Sequence, residues 1–235
     1  MFRKSIYRSM TIFCILAVIL MISCAHLYSN VVTVLSEHTE IPNRKIVIID
    51  AGHGGEDGGA VSCTGIPESK TNLEISIKLQ NILQLLGIKT IMIRTDDVSV
   101  YTSGDSIASR KISDLRHRVN IVNNHPGCTL ISIHQNYFSD SKYSGAQVFY
   151  NQNPLSKQLA LSMQSALVKN LNKNSNRNAK MAEGIYLMEH IKEPGILIEC
   201  GFISNYEENA LLQSKDYQQK ISIVIGSSLS LYLNT

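Results

Sequence analysis

An apolar, β-branched run, Ile46-Val47-Ile48-Ile49, passes through Asp50 and Ala51 into a segment, Gly52 to Ala60, in which five glycines surround one histidine, His53. A continuous apolar run of strand length reads as a strand buried on both faces, the pattern of a parallel sheet covered by helices. Glycines at the end of such a strand let the backbone turn tightly and approach a ligand closely. A histidine among them is a candidate metal ligand. The loose spacing of Gly52, Gly54 and Gly58 also invites comparison with a dinucleotide-binding loop. Glu56 and Asp57 would repel a pyrophosphate, and the next helix starts about ten residues too late, so that reading is rejected.

The remainder of the chain alternates strand-like and helix-like segments. Strands are expected at 45–50, 88–94, 129–134, 146–150, 184–188 and 196–199, and helices at 68–86, 114–124, 155–171 and 217–233, with a polar loop at 101–109. The first helix carries Leu73, Ile77, Leu79, Ile82, Leu83 and Leu86 at helical spacing and stops at Gly87. The expected fold is therefore α/β: residues 44–235 as a single domain, an open, twisted, mostly parallel sheet of about six strands with helices on both faces.

Composition narrows the class. The 235 residues are 44% hydrophobic and 17% charged with a net charge of +3, ordinary for a globular domain with a proper core. No basic stripe interleaves with aromatics, so no nucleic-acid partner is expected. Arg3, Lys4 and Arg8 precede an apolar run from Ile12 to Ile22, and Ser23-Cys24-Ala25 places small residues at the cleavage positions. Residues 1–25 thus read as an export signal, or as an uncleaved anchor extending from Thr11 to Tyr28. Lipidation at Cys24 ranks third, because Met21 stands where a leucine is usual. In each case the globular part is exported, outside the cytoplasm, and meets a membrane only through this segment. Residues 26–43 read as a linker. Cys63, Cys128 and Cys200 are odd in number and widely spaced, which describes free thiols rather than a disulfide framework or a cysteine metal site.

Ligands of open α/β sheets sit outside the carboxyl ends of the strands. The first strand runs into His53, the run Leu130 to Ile133 delivers His134 and then Gln135-Asn136, and Ile196 to Ile198 delivers Glu199. Glu68 opens the helix that follows the glycine loop and faces the same edge. Two histidines and a carboxylate with an open fourth position are the composition of a catalytic zinc site, and a second carboxylate then serves as general base. Spacing leaves open which glutamate ligates and which moves protons. The other five histidines have no such partners and read as hydrogen-bonded or solvated groups.

These residues, taken together, have a familiar order. Ile49-Asp50-Ala51-Gly52-His53-Gly54-Gly55, Glu68 with Asn72-Leu73, Ser132-Ile133-His134-Gln135-Asn136 and Glu199-Cys200-Gly201-Phe202 resemble the motifs of the zinc-dependent N-acetylmuramoyl-L-alanine amidases, the amidase-3 family. The resemblance implies one zinc ion per chain held by His53, Glu68 and His134, with Glu199 as the catalytic glutamate. It implies peptidoglycan as substrate, cut between N-acetylmuramic acid and the L-alanine of the stem peptide. The short form with a leader and without wall-binding repeats is most similar to members that process spore cortex for germination. Asn136 is a candidate donor to the substrate oxyanion, Asp50 a candidate support for the loop, and Arg94 and Arg118 structural or substrate-edge groups. The chain departs from the family pattern at Ala51, Ser69-Lys70, Gln135 and Cys200, none of which is a ligand position. The alternatives are a zinc peptidase cutting within the stem and a non-catalytic wall-binding protein. Without targeting repeats, an accessory or targeting protein is an expected partner.

Overall fold

In the computed structural model, the described residues are 46–173 and 175–234, with Met21 and Ser23 as isolated positions; the expected leader and linker otherwise lie outside them. In chain order the strands are Val47–Ala51 (β1), Thr90–Met92 (β2), Thr129–Asn136 (β3), Gln147–Tyr150 (β4), Lys180–Met181 (β5) and Gly195–Phe202 (β6). The helices are Glu68–Leu85 (α1), Ile107–Asn123 (α2), Pro154–Asn170 (α3), Tyr186–His190 (α4), Tyr206–Leu212 (α5) and Lys215–Leu233 (α6).

One sheet in the order β2-β1-β3-β6-β4-β5 contains all six strands. β2, β1, β3 and β6 run parallel, while β4 pairs antiparallel with β6 and β5 runs parallel to β4. From β1 the chain moves outward to β2 and then returns to the other side of β1 as β3. That reversal opens a crevice at the carboxyl ends of β1 and β3, the place where such sheets bind ligands.

Alternation along the central strands sorts the side chains. Val47, Ile49, Ile131, Ile133, Ile196 and Ile198 enter a core with residues of α1, α3 and α6. Ile48, Leu130 and Leu197 face the other way, against Val119 and Val122 of α2 and Leu187 and Met188 of α4. Because successive strand residues point to opposite faces, Asp50, Ser132, His134 and Glu199 share this second face with Ile48, Leu130 and Leu197. Each strand on it therefore changes from aliphatic to polar as it nears its carboxyl end.

Local signals explain where several helices start. Ser106 and Ser109 form a reciprocal cap at α2, Asn153 caps α3 ahead of Pro154 and Asn205 caps α5. Three details differ from the sequence reading. The segment 184–188 is not a strand: Gly184 adopts φ 71, its N–H donates to the Glu189 carboxylate and the chain continues as α4. A five-residue apolar run suits either state, and packing against α2 selects the helix. α2 begins seven residues before the expected position 114, at Ile107, and the short β5 and α5 were not foreseen. Among the described residues no helix is long and apolar enough to cross a membrane.

Candidate metal centre

The glycine loop after β1 is clamped from below. His53 is the one non-glycine described residue at positive φ, 60°, a conformation that L-residues hold only when the surroundings enforce it. Arg118 donates to the carbonyls of His53 at 2.9 Å and Ala51 at 3.1 Å. It also pairs with Asp50 and with Asp114. Asp50 in turn accepts the Ser132 hydroxyl at 2.6 Å. Burial opposes charge on Asp50, but Arg118, His134 and Ser132 outweigh it and hold the carboxyl below its ordinary range. Arg94 donates to the carbonyls of Ala51, Gly52 and Ser69 at 2.8, 3.0 and 2.9 Å. Arg94 and Arg118 are both buried and hold the loop through these contacts; Arg118 also lines the cleft beside His53 and His134. Asp50 supports the loop through Arg118.

Above this clamp the histidines of β1 and β3 meet the glutamate of α1. Glu68 Oε2 lies 3.3 Å from His53 Nε2 and Glu68 Oε1 lies 3.0 Å from His134 Nδ1. The three potential ligand atoms are all within 4.8 Å of one another, and the imidazoles stand edge to face with centroids 5.0 Å apart. Glu68 is buried but heavily supplied with donors: the N–H groups of Ala60 at 3.1 Å and Gln135 at 3.0 Å, and the Asn72 amide at 3.1 Å. Burial would raise its pKa, yet His134 and His53 hold it far below the ordinary range. For His53, burial works against protonation, while Asp57 and Glu68 prevail and push the ring up to about 9.

Two of the loop glycines make this packing possible. A Cβ on Gly52 would fall 2.2 Å from His134 Nε2. One on Gly59, at φ +70°, would fall 2.7 Å from both Glu68 Oε2 and His53 Cδ2. The glycines form a cradle for two imidazoles and a carboxylate, a donor set suited to a zinc-like dication.

Glu199 stands in register with His134 on the neighbouring strand. Its Oε2 is sealed from solvent and has no hydrogen-bond partner, an orphaned acceptor of the kind that marks functional positions. Burial, with the Glu68 charge adding to it, pushes the Glu199 carboxyl up to about 7 against the pull of His134 and His53. Asn136 closes β3 two residues beyond His134, where its carbonyl accepts the Ile203 N–H at 2.9 Å. A cleft on this face is lined by Gly52, His53, Asp57 and His134, by Lys111 and Leu115 of α2, and by the segment 184–187.

Three contributors escaped the sequence reading. Asp57 Oδ2 sits 3.0 Å from His53 Nδ1. Asn72 bridges Glu68 and the Gly52 carbonyl, and Gln135 donates to Asn72 at 3.2 Å. The i, i+4 spacing of Glu68 and Asn72 on a helix was the available signal for that contact; Asp57 and Gln135 carried none. The remaining histidines with described contacts are local: His125 Nδ1 meets the Ile121 carbonyl, and His190 ends α4 stacked on Tyr186. Cys63, Cys128 and Cys200 are free, and burial pushes the Cys128 thiol up to about 11 and Cys200 higher still. Buried thiols such as Cys128 and Cys200 are inert.

Comparison with known proteins bears on this geometry. Residues 47–230 match the family model described as N-acetylmuramoyl-L-alanine amidase. The germination-specific N-acetylmuramoyl-L-alanine amidase of Bacillus subtilis (strain 168) is 39% identical over 190 residues, covering 80% of this chain and 79% of that protein. The CwlD amidase of Clostridioides difficile, solved in complex with the GerS lipoprotein, superposes with a TM-score of 0.77 at 37% identity, covering 81% of this chain and 98% of that one. An N-acetylmuramoyl-L-alanine amidase from Clostridium difficile 630 gives 0.72 at 31% identity, over 83% and 99% of the two chains.

Proposed function

Since the chain belongs to the N-acetylmuramoyl-L-alanine amidase family of cell-wall hydrolases, we propose that it cuts spore-cortex peptidoglycan between N-acetylmuramic acid and the L-alanine of the stem peptide, with one zinc ion held by His53, Glu68 and His134. The observation that carries this reading is the glycine-cradled trio of ligand atoms within 4.8 Å of one another, with the unpaired Glu199 Oε2 one strand away. Bound there, zinc would supply Lewis acidity, polarising the amide carbonyl and making water a nucleophile at neutral pH.

The chain's own residues do the rest. Glu199, as carboxylate, takes the proton of the attacking water and returns it to the leaving amine of L-alanine. A general base and acid in this position contributes roughly 10²–10⁴ in rate. Its buried, unpaired oxygen suits the role, because nothing else competes for the proton. Asn136, at the end of β3, donates to the oxygen that becomes negative as the carbonyl is attacked. Arg118 and Arg94 keep the His53 loop in its strained shape so that the ligands are placed before substrate arrives.

The family likeness also supports export to the wall or cortex through the N-terminal segment, and an accessory protein, since CwlD of C. difficile was solved with a lipoprotein. The test is digestion of purified cortex peptidoglycan with and without chelator, followed by mass spectrometry. Peptide-free muramic acid, lost on chelation and restored by zinc, is the expected result. Cuts within the stem would assign a peptidase instead, and no release under any condition would assign a binding protein.

A further inference from the structure

His53 is held at two points by groups of opposite charge. Its carbonyl is gripped by the buried Arg118 guanidinium at 2.9 Å, and its ring Nδ1 lies 3.0 Å from Asp57 Oδ2. Asp57 is itself fixed. One of its oxygens accepts the Gly59 N–H at 3.3 Å, and the other is 3.3 Å from Lys111 Nζ on α2. The turn that carries Asp57 is closed by reciprocal backbone hydrogen bonds between Gly54 and Asp57, at 2.7 and 3.2 Å. With Nδ1 occupied, the ring nitrogen that remains, Nε2, is the one beside Glu68.

We infer that Asp57 is a positioning residue for the metal centre: it fixes the orientation and tautomer of His53 so that Nε2 is presented to the ion, and Lys111 holds Asp57 in place from α2. The inference rests on the proposed metal site and assigns a role outside the ligand set. An imidazole that donates its second N–H to a carboxylate is a better-oriented and more basic ligand. Here the need is sharper than usual, because His53 sits on a loop of glycines at a strained φ. Without the ring contact, rotation about its side-chain bonds would be free to carry Nε2 away from Glu68. The bond to Asp57 therefore does for the ring what Arg118 does for the backbone.

The test is zinc affinity of the purified protein, measured by competition with a chromophoric chelator, for wild type, Asp57→Ala, Asp57→Asn and Glu56→Gln. Asp57→Ala is expected to weaken zinc binding about 10- to 100-fold. Asp57→Asn, which keeps an acceptor but no charge, should lose less. Glu56→Gln removes the neighbouring Glu56–Arg110 ion pair between the same loop and the same helix without touching His53, and should bind zinc as wild type does. The cobalt-substituted protein supplies an independent readout: its visible spectrum should change in Asp57→Ala and not in Glu56→Gln. Wild-type affinity in Asp57→Ala, or equal losses in Asp57→Ala and Glu56→Gln, would overturn the positioning role. Should Asp57→Ala fail to fold, Asp57→Asn decides, with wild-type affinity and spectrum there counting against the role. A wild-type protein that takes up no zinc at all would instead overturn the metal site itself.

Discussion

Two clusters of polar groups lie along the same face of the sheet and differ in how well they are satisfied. The lower one, Asp50, Ser132 and Arg118, is closed: each charge has an opposite charge or a hydrogen bond, and Arg118 spends its remaining donors on loop carbonyls. The upper one is strained and crowded. His53 and His134 press on Glu68 from two sides, and Glu199 has an oxygen with no partner. A buried polar cluster that is fully paired holds a structure together. One built from two imidazoles and two carboxylates offers instead ligand atoms and a group that can take up a proton. The contrast separates the scaffold from the reactive half.

Breaking the lower cluster should cost the most stability. Arg118→Met leaves Asp50 buried without its main partner and is expected to destabilise by about 3–5 kcal/mol, measured by urea denaturation. Loss of less than about 1 kcal/mol would show that the pair is not the scaffold's anchor. A smaller effect is expected in the cradle. Gly52→Ala must displace the His134 ring and should cost about 1–3 kcal/mol together with zinc binding. Gly58→Ala, whose Cβ would meet Pro67 at an ordinary 3.4 Å, should be tolerated. Equal behaviour of the two variants in zinc titration would break the claim that the cradle is shaped for the ligands.

The pH dependence sharpens the same comparison. Glu199 and His53 both have folded pKa values raised above their unfolded ones, from 4.5 to about 7 and from 6.5 to about 9. A raised group contributes stability below its unfolded pKa and loses it as pH rises through the folded value. The metal-free protein should therefore melt at progressively lower temperature from pH 5 to pH 9. Zinc bound at the proposed site would replace the His53 proton and should flatten the upper part of that slope. Glu68 and Asp57, whose values are lowered, act in the opposite sense, their contribution lost on acidification. A metal-free melting temperature that rises from pH 6.5 to pH 9 would contradict the crowding of the upper cluster.

Much of this was legible in the sequence because it depends on short-range pattern. The apolar runs of β1, β3 and β6 mark the central strands, and the polar residue ending each one marks the edge where ligands gather. What escaped depends on geometry that only the fold sets, whether the partner is near or distant in sequence. The five-residue spacing of Gly184 and Glu189 does not say that the carboxylate will accept the glycine N–H and the apolar run continue as α4. Nothing near Arg118 says that it will hold the carbonyl of His53, 65 residues away. Asp57 is visible only as an acid in a glycine loop until the fold places His53 Nδ1 against it. Sequence alone identified the ligand candidates and named Asp50, Arg94 and Arg118 as supports, but not the contacts by which these and Asp57 aim the ligands.

The central claim is that Glu199 moves the proton while His53, Glu68 and His134 hold the metal, and Glu199→Gln tests it most directly. Zinc content and amidase activity should be measured on the same preparation, with muropeptides as substrate. The account predicts undiminished zinc, a melting temperature at neutral pH no lower than wild type, since a buried unpaired charge has been removed, and activity reduced by at least ~10². Wild-type activity at full zinc occupancy, or loss of zinc along with activity, would contradict it.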